Sequence, residues 1–337
     1  MANQSFMVSA GGSVGVTVAT NTTRYFPSAD APLAPQTAEA DSEITHRRSE
    51  TRSNLYARIV SGPGVSTTAT ITVRKNGVDT SLAISTSGAS AREVEDAVNT
   101  VSVVDGDETD IKVICGSLGS DFVIGNIAIR NKPDDADQTV VHHAAVAFAD
   151  MSDGTTYFVA LSDIPDDAAG GLATNEAHAQ FEVGTATFFK NMRVRVSSAT
   201  QSATNARFRK NGANSITVAI GTTAGVYEET ATEVSCSAGD LVCFSVESVN
   251  AGALDIECMS IEERTTSDKF HSIFGRTCGS QMQAVFNKHH YFALGGGGEL
   301  GAASAPLGTH EAKTKTEANI ACTVSRLTGY CSTYTIS

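Results

Sequence analysis

The residues able to do chemistry are few and scattered. Gly11-Gly12-Ser13-Val14-Gly15 has the G-x-S-x-G spacing of a nucleophile elbow. That elbow needs a sharp strand-to-helix turn inside a parallel sheet, and no such sheet is expected this close to the first residue. His142-His143 and His289-His290 are adjacent pairs in strand-like segments. Neighbours on a strand point to opposite faces and do not chelate one ion, so solvated or satisfied imidazoles are expected. His46, His178 and His310 share no common position. Three acidic groups invite calcium: Asp105, Asp107, Glu108 and Asp110; Asp134, Asp135 and Asp137; and Asp163, Asp166 and Asp167. The first is the best candidate, although its D-x-D lacks the later glycine and bidentate glutamate of an EF-hand. The expectation is a solvated acidic loop, no cofactor and no catalytic residue. The run Gly295-Gly296-Gly297-Gly298 has no following Lys-Ser/Thr and reads as a loop.

Seven cysteines (Cys115, Cys236, Cys243, Cys258, Cys278, Cys322, Cys331) form no C-x-x-C pair. Most read as small buried apolar residues, with Cys322 and Cys331 the first pair to check for a disulfide. Lys and Arg number 24 against 37 Asp and Glu, a net charge of −13, which argues against a nucleic-acid clamp. There is no Trp and aromatics are 6% of the chain, which leaves little for a base-stacking platform or an aromatic sugar cleft. No apolar run is long enough to span a bilayer. The first sixteen residues, MANQSFMVSAGGSVGV, carry neither the basic start nor the apolar core of a secretory signal.

The elements that position these residues follow from internal repetition. Tyr25-Phe26, Tyr157-Phe158 and Tyr291-Phe292 are spaced by 132 and 134 residues, and Glu43, Glu176 and Glu311 follow them. LYARIVS at 55–61 matches MRVRVSS at 192–198, and IACTVS at 320–325 opens alike. Arg74-Lys75-Asn76-Gly77 returns as Arg209-Lys210-Asn211-Gly212; VSVVDGDETDIKVI (101–114) parallels VSCSAGDLVCFSV (234–246). Each repeat alternates with period two, and Asn-Gly marks a type I′ hairpin tip, so RKNG reads as a turn and not a site. One short helix is expected from Ser90, whose spacing to Glu93 suits a capping box. Its counterpart GVYEETATEV (225–234) reads as an extended turn.

The fold class is therefore all-β: tandem antiparallel jelly-roll β-sandwiches over 1–135 and 136–267, with a partial third over 268–337. Repeats 12–132 and 140–265 should superpose with their Asn-Gly tips equivalent. The third stops at STYTIS, short of its own RKNG, so either the gene continues beyond Ser337 or strands of another subunit complete that fold.

The order of a strand ending in YF, a Glu-containing segment, RVRVSS, the RKNG hairpin, GVYEET and AGDLVCFSV resembles the compact jelly rolls of the C1q and tumour-necrosis-factor type. Such modules occur in tandem in bacteriophage and bacterial surface proteins. In repeat 1, Asp105-Gly106-Asp107-Glu108 replaces the AGD element. The resemblance implies homo-oligomers, trimeric or filamentous, that act by display or binding. The expected function is a non-enzymatic virion protein of a tailed phage, assembled in the cytoplasm and released by lysis, with other virion or surface proteins as partners. An extracellular filament subunit or surface adhesin is the alternative. Neither nucleic acid nor membrane insertion is expected.

Overall fold

The structure is a computed structural model that describes residues 5–9, 16–28, 35–134, 139–148, 154–161, 174–184, 186–199, 204–248 and 254–265. They form two all-β sandwiches. The first contains β1 (Ser5–Ser9), β2 (Val16–Val18), β3 (Thr22–Pro27), β4 (Ile44–Thr45), β5 (Glu50–Ser61), β6 (Gly64–Lys75), β7 (Val78–Gly88), β8 (Arg92–Val103), β9 (Glu108–Cys115) and β10 (Phe122–Pro133). The second contains β11 (Thr139–Phe148), β12 (Thr155–Val159), β13 (Phe181–Glu182), β14 (Thr187–Ala199), β15 (Thr204–Lys210), β16 (Ala213–Ile220), β17 (Gly225–Glu229), β18 (Val234–Cys236), β19 (Leu241–Ser248) and β20 (Leu254–Thr265). A 3₁₀ turn, Glu39–Asp41 or Glu176–His178, precedes β4 or β13.

The sheets follow one topology twice. In the first sandwich the orders are β1-β10-β5-β8, with β2 also beside β10, and β3-β9-β6-β7, with β4 beside β9. In the second they are β11-β20-β14-β17, with β18 also beside β14, and β12-β19-β15-β16, with β13 beside β19; β17 and β18 together take the place of β8, as β1 and β2 together take that of β11. Strands distant in sequence thus lie side by side, the four-on-four arrangement of a jelly roll. All pairs are antiparallel, and alternation decides what each strand buries. On β9, Ile111, Val113 and Cys115 face the core while Glu108, Asp110 and Lys112 face outward; Ile71 and Val73 of β6 sit opposite Val113 and Ile111. Each sandwich has its own apolar core, and Phe189 stacks on Phe208 in the second at 4.8 Å between ring centroids.

Both RKNG segments are hairpin tips at equivalent places. Asn76 and Gly77 have φ of 52° and 74°, and Asn211 and Gly212 have 50° and 81°, as a type I′ turn requires. A second shared irregularity is a left-handed asparagine that bulges the central strand, Asn54 (φ 49°) in β5 and Asn191 (φ 54°) in β14.

Two expectations are corrected. The segment from Ser90 is the edge strand β8, not a helix. Its alternation places Val101 and Val103 in the core, and β5 supplies the ladder bonds, so tertiary pairing overrides a local capping-box spacing. GVYEETATEV stays in the sheet as β17 and β18, both paired with β14, around a break where Glu229 accepts from the amides of Ala231 and Thr232. The proposed third repeat, with Glu311, His289-His290, His310, Gly295–Gly298, Cys278, Cys322 and Cys331, lies outside the described residues, as does the G-x-S-x-G at 11–15.

Candidate functional site: the polar end of the first sandwich

Every residue of the RKNG tip has a defined partner. Arg74 holds Glu39 through two bonds, Nε to Oε1 at 2.5 Å and Nη2 to Oε2 at 3.0 Å; Arg209 holds Glu176 at 2.8 and 2.9 Å. Lys75 pairs with Asp107 (2.7 Å) and Lys210 with Asp240 (3.0 Å). Asn76 donates to Asp107 (2.7 Å) and accepts from the Glu108 amide (2.8 Å), and Asn211 repeats this with Asp240 and Leu241 at the same distances. Gly106 and Gly239 carry the positive φ of the opposing turn, so Gly106-Asp107 does in the first sandwich what Gly239-Asp240 does in the second. The Ser237 amide, Asn211 and Lys210 hold the Asp240 carboxyl down at about 2. Asp107 is also held low, with Lys75 and Asn76 outweighing its burial. The structure re-registers the recurring acid: Glu39, not Glu43, is the counterpart of Glu176, since both sit in the 3₁₀ turn and bind the RKNG arginine.

The core end of the first sandwich is polar. His46 Nε2 lies 2.7 Å from Thr109 Oγ1, and His46 Nδ1 lies 3.4 Å from Glu50 Oε1. This hydroxyl–imidazole–carboxylate line has the outline of a nucleophilic triad. It is not placed for catalysis, because Thr109 is 1% exposed and its hydroxyl also takes a bond from Arg52 Nη1 (3.0 Å) and shares one with Ser28 (2.7 Å). Arg52 is fully buried, bonding Glu50 (3.2 Å) and Ser28 (2.8 Å). At the equivalent places the second sandwich has Ala160, Val183, Thr187, Phe189 and Val242, all buried. A charged core in one copy thus occupies the site of an apolar core in the other.

Charged side chains also join the two sandwiches. Arg193 of β14 donates to the His46 carbonyl (2.8 Å) and pairs with Asp105 and Glu228, both at 3.1 Å; Arg47 reaches the same Glu228 at 2.7 Å. Arg195 pairs with Glu43 (3.1 Å), Glu108 (3.3 Å) and Glu257 (3.0 Å). Against the opposing effect of burial, Arg193 and Arg47 hold Glu228 below the usual carboxylate range. Burial raises Glu43 and Glu257, and their carboxylates, with Glu108, keep Arg195 firmly charged despite its own desolvation.

Asp110 is the exception to this pairing. It points outward from β9 beneath the 3₁₀ turn, is 1% exposed, and neither oxygen meets a hydrogen-bond donor. What faces it is Glu39 and Glu43, one carboxylate oxygen of each of the three lying within 4.8 Å of the others. Burial first, then contact with Glu39, pushes its carboxyl up to about 8.

The first acidic group is therefore divided. Asp105 and Glu108 serve the seam, Asp107 the hairpin, and Asp110 faces the carboxylates of Glu39 and Glu43. His142 and His143 occupy consecutive positions of β11 opposite Ile261 and Ser260. Asp134 accepts from the Thr51 hydroxyl, whereas Asp135, Asp137, Asp163, Asp166 and Asp167 lie outside the described residues. Cys115, Cys236, Cys243 and Cys258 are free and buried, and burial raises all four thiols, Cys236 to about 11 and Cys258 to about 12. Arg47, Arg193, Arg195 and Glu39 were not singled out in the sequence. The recurrence of Arg74 and Arg209 with an acid about 35 residues before each was the signal for Glu39.

No family model matches the chain, and no curated protein matches it. Solved structures with some similarity include a Paenibacillus xanthan lyase (10% identity, TM-score 0.22, 79% of this chain and 25% of the lyase). The chain thus spans about a quarter of that enzyme. Others are the N-terminal CBM22-1-CBM22-2 tandem domain of Paenibacillus barcinonensis Xyn10C (11%, 0.23, 79% and 98%) and infectious bursal disease virus, Gx strain (11%, 0.23, 78% and 72%). Likeness this slight carries no functional argument.

Proposed function

We propose that the chain is a non-enzymatic structural protein that self-assembles through its jelly rolls, as a virion component of the tailed-phage kind. The observation that carries this reading is how the charged groups are used. Two hairpin staples, a charged core end and an arginine-rich seam all fix backbone to backbone or one sandwich to the other. Such fixation suits a subunit that must keep one shape under load. Raised thiols and a buried hydroxyl–imidazole line leave these groups protonated or inaccessible, which also favours architecture over chemistry. Edge strands β7 and β8, bridged to each other by Asp96 and Arg92, carry exposed Val78 and Val98, and apolar side chains at sheet edges are what neighbouring subunits cover in an assembly. The full chain is examined by sedimentation velocity at micromolar concentration and by electron microscopy. Closed oligomers, a trimer foremost, support the reading; a stable monomer overturns it, and long fibres favour a filament subunit.

A further inference from the structure

We propose that Glu39, Glu43 and Asp110 form a calcium site on the outer face of the first sandwich, beside its seam with the second. This goes beyond the assembly reading and does not depend on it. Three observations converge. The first is the donor set: one oxygen from each of the three carboxylates lies within 4.8 Å of the other two. An all-carboxylate set suits calcium, which takes protein oxygens in a flexible geometry, better than magnesium, which keeps most of its own waters.

The second is charge. Arg74 neutralises Glu39 and Arg195 neutralises Glu43. Asp110, 1% exposed and facing these two carboxylates, has no donor on either oxygen. An uncompensated buried charge is costly, and the native solutions are a proton, a partner or a metal. Carboxylates already bonded to arginine keep lone pairs for a cation, since each oxygen has two.

The third is the sister sandwich, where the same fold places Glu176, Gln180 and Cys243 at these positions. There the thiol of Cys243 points its sulfur at Glu176 Oε1 at 3.7 Å, and one carboxylate remains where the first sandwich gathers three. The scaffold therefore tolerates a neutral group at this spot. Two further acids in one copy alone point to a ligand that needs them.

The test uses the full chain after chelator treatment and dialysis. Calcium is titrated calorimetrically, and terbium luminescence, sensitised by nearby tyrosine, is followed in parallel. Tyr25 senses both Glu39 and Asp110 and is the expected donor. One calcium bound per chain is expected, weakened at least about tenfold in Asp110→Asn, because affinity follows ligand charge. Asp110→Cys, which copies the second sandwich, and Glu43→Gln should weaken it likewise and serve if Asp110→Asn fails to fold. Tyr25→Phe should lower terbium emission without lowering calcium affinity. Glu233→Gln, remote on the second sandwich, should leave binding unchanged. No calcium heat at millimolar concentration, or equal affinity in the folded Asp110 and Glu43 variants, overturns the proposal and leaves a shared proton as the device that neutralises Asp110.

Discussion

Removing the carboxylate of Glu50 should destabilise the first sandwich far more than removing the whole polar network around it. Arg52 is fully buried and Glu50 is its charged partner at 3.2 Å. In Glu50→Gln the guanidinium keeps an acceptor but loses the charge of this carboxylate, and breaking a buried pair from one side costs about 3–5 kcal/mol. Against a typical domain stability of about 5–15 kcal/mol, that lowers the melting temperature of a sandwich this size by roughly 10–20 °C. The contrasting variant replaces Ser28→Ala, His46→Val, Glu50→Thr, Arg52→Phe and Thr109→Val together, the set the second sandwich already packs. Both members of the Arg52–Glu50 pair are then removed together, Arg48 losing its longer contact to Glu50 (3.7 Å), and exchange of a buried ion pair for packed apolar groups is neutral or stabilising by about 1–4 kcal/mol. Urea unfolding of the full chain followed by circular dichroism measures both, with the transition of the second sandwich as internal reference. A Glu50→Gln variant within about 0.5 kcal/mol of the parent, or a fivefold variant as unstable as Glu50→Gln, would refute the reasoning.

Three further outcomes are expected. Gly77→Val and Gly212→Val should each cost about 1–3 kcal/mol in urea midpoint analysis, because a β-branched residue resists the φ of 74° or 81°. Asp240 titrates lower folded than unfolded, so its contribution is complete above the ordinary carboxylate range and is lost as pH falls from about 4 toward 2. Asp240→Asn should flatten acid unfolding in that window, and pH-dependent melting curves check it. Arg193→Ala removes the near cation of Asp105 and one donor each from Glu228, which keeps Arg47, and from the His46 carbonyl, which keeps the Gly106 amide; a loss of about 1.5–3 kcal/mol in coupling between the sandwiches should separate their unfolding transitions.

What was legible in the sequence was whatever a short run encodes by itself. Asn-Gly announces its turn because both residues accept positive φ, and Thr68-Ala69-Thr70-Ile71 announces a strand by alternation. What was not legible depends on distance. Arg74 finds Glu39 across 35 residues and Arg193 finds the His46 carbonyl across 147, and no local pattern records either. Glu43 and Glu176 looked equivalent because loops of different length precede them; only the arginine each acid binds fixes the alignment. Ser90 and Glu93 misled because a capping box is a local preference, and β5 offers that segment a full ladder instead.

The start of one strand shows why two copies of a single fold differ in kind. Where β19 begins Leu241-Val242-Cys243, β9 begins Glu108-Thr109-Asp110. Strand alternation sends these three side chains to separate tasks. Glu108 goes outward to Arg195 across the seam, Thr109 inward to His46 and Arg52, and Asp110 outward to Glu39 and Glu43. Because the hairpin staple is common to both sandwiches, it holds this strand start in place whichever residues occupy it. The apolar set shows that the fold does not need the polar one. Two of these three residues therefore act beyond their own core: Glu108 on the second sandwich, and Asp110 on the carboxylates of Glu39 and Glu43, where the proposed cation would sit. If the fold alone selected them, replacing Glu108, Thr109 and Asp110 with Leu, Val and Cys would leave the coupled unfolding of the two sandwiches unchanged; we expect it to split.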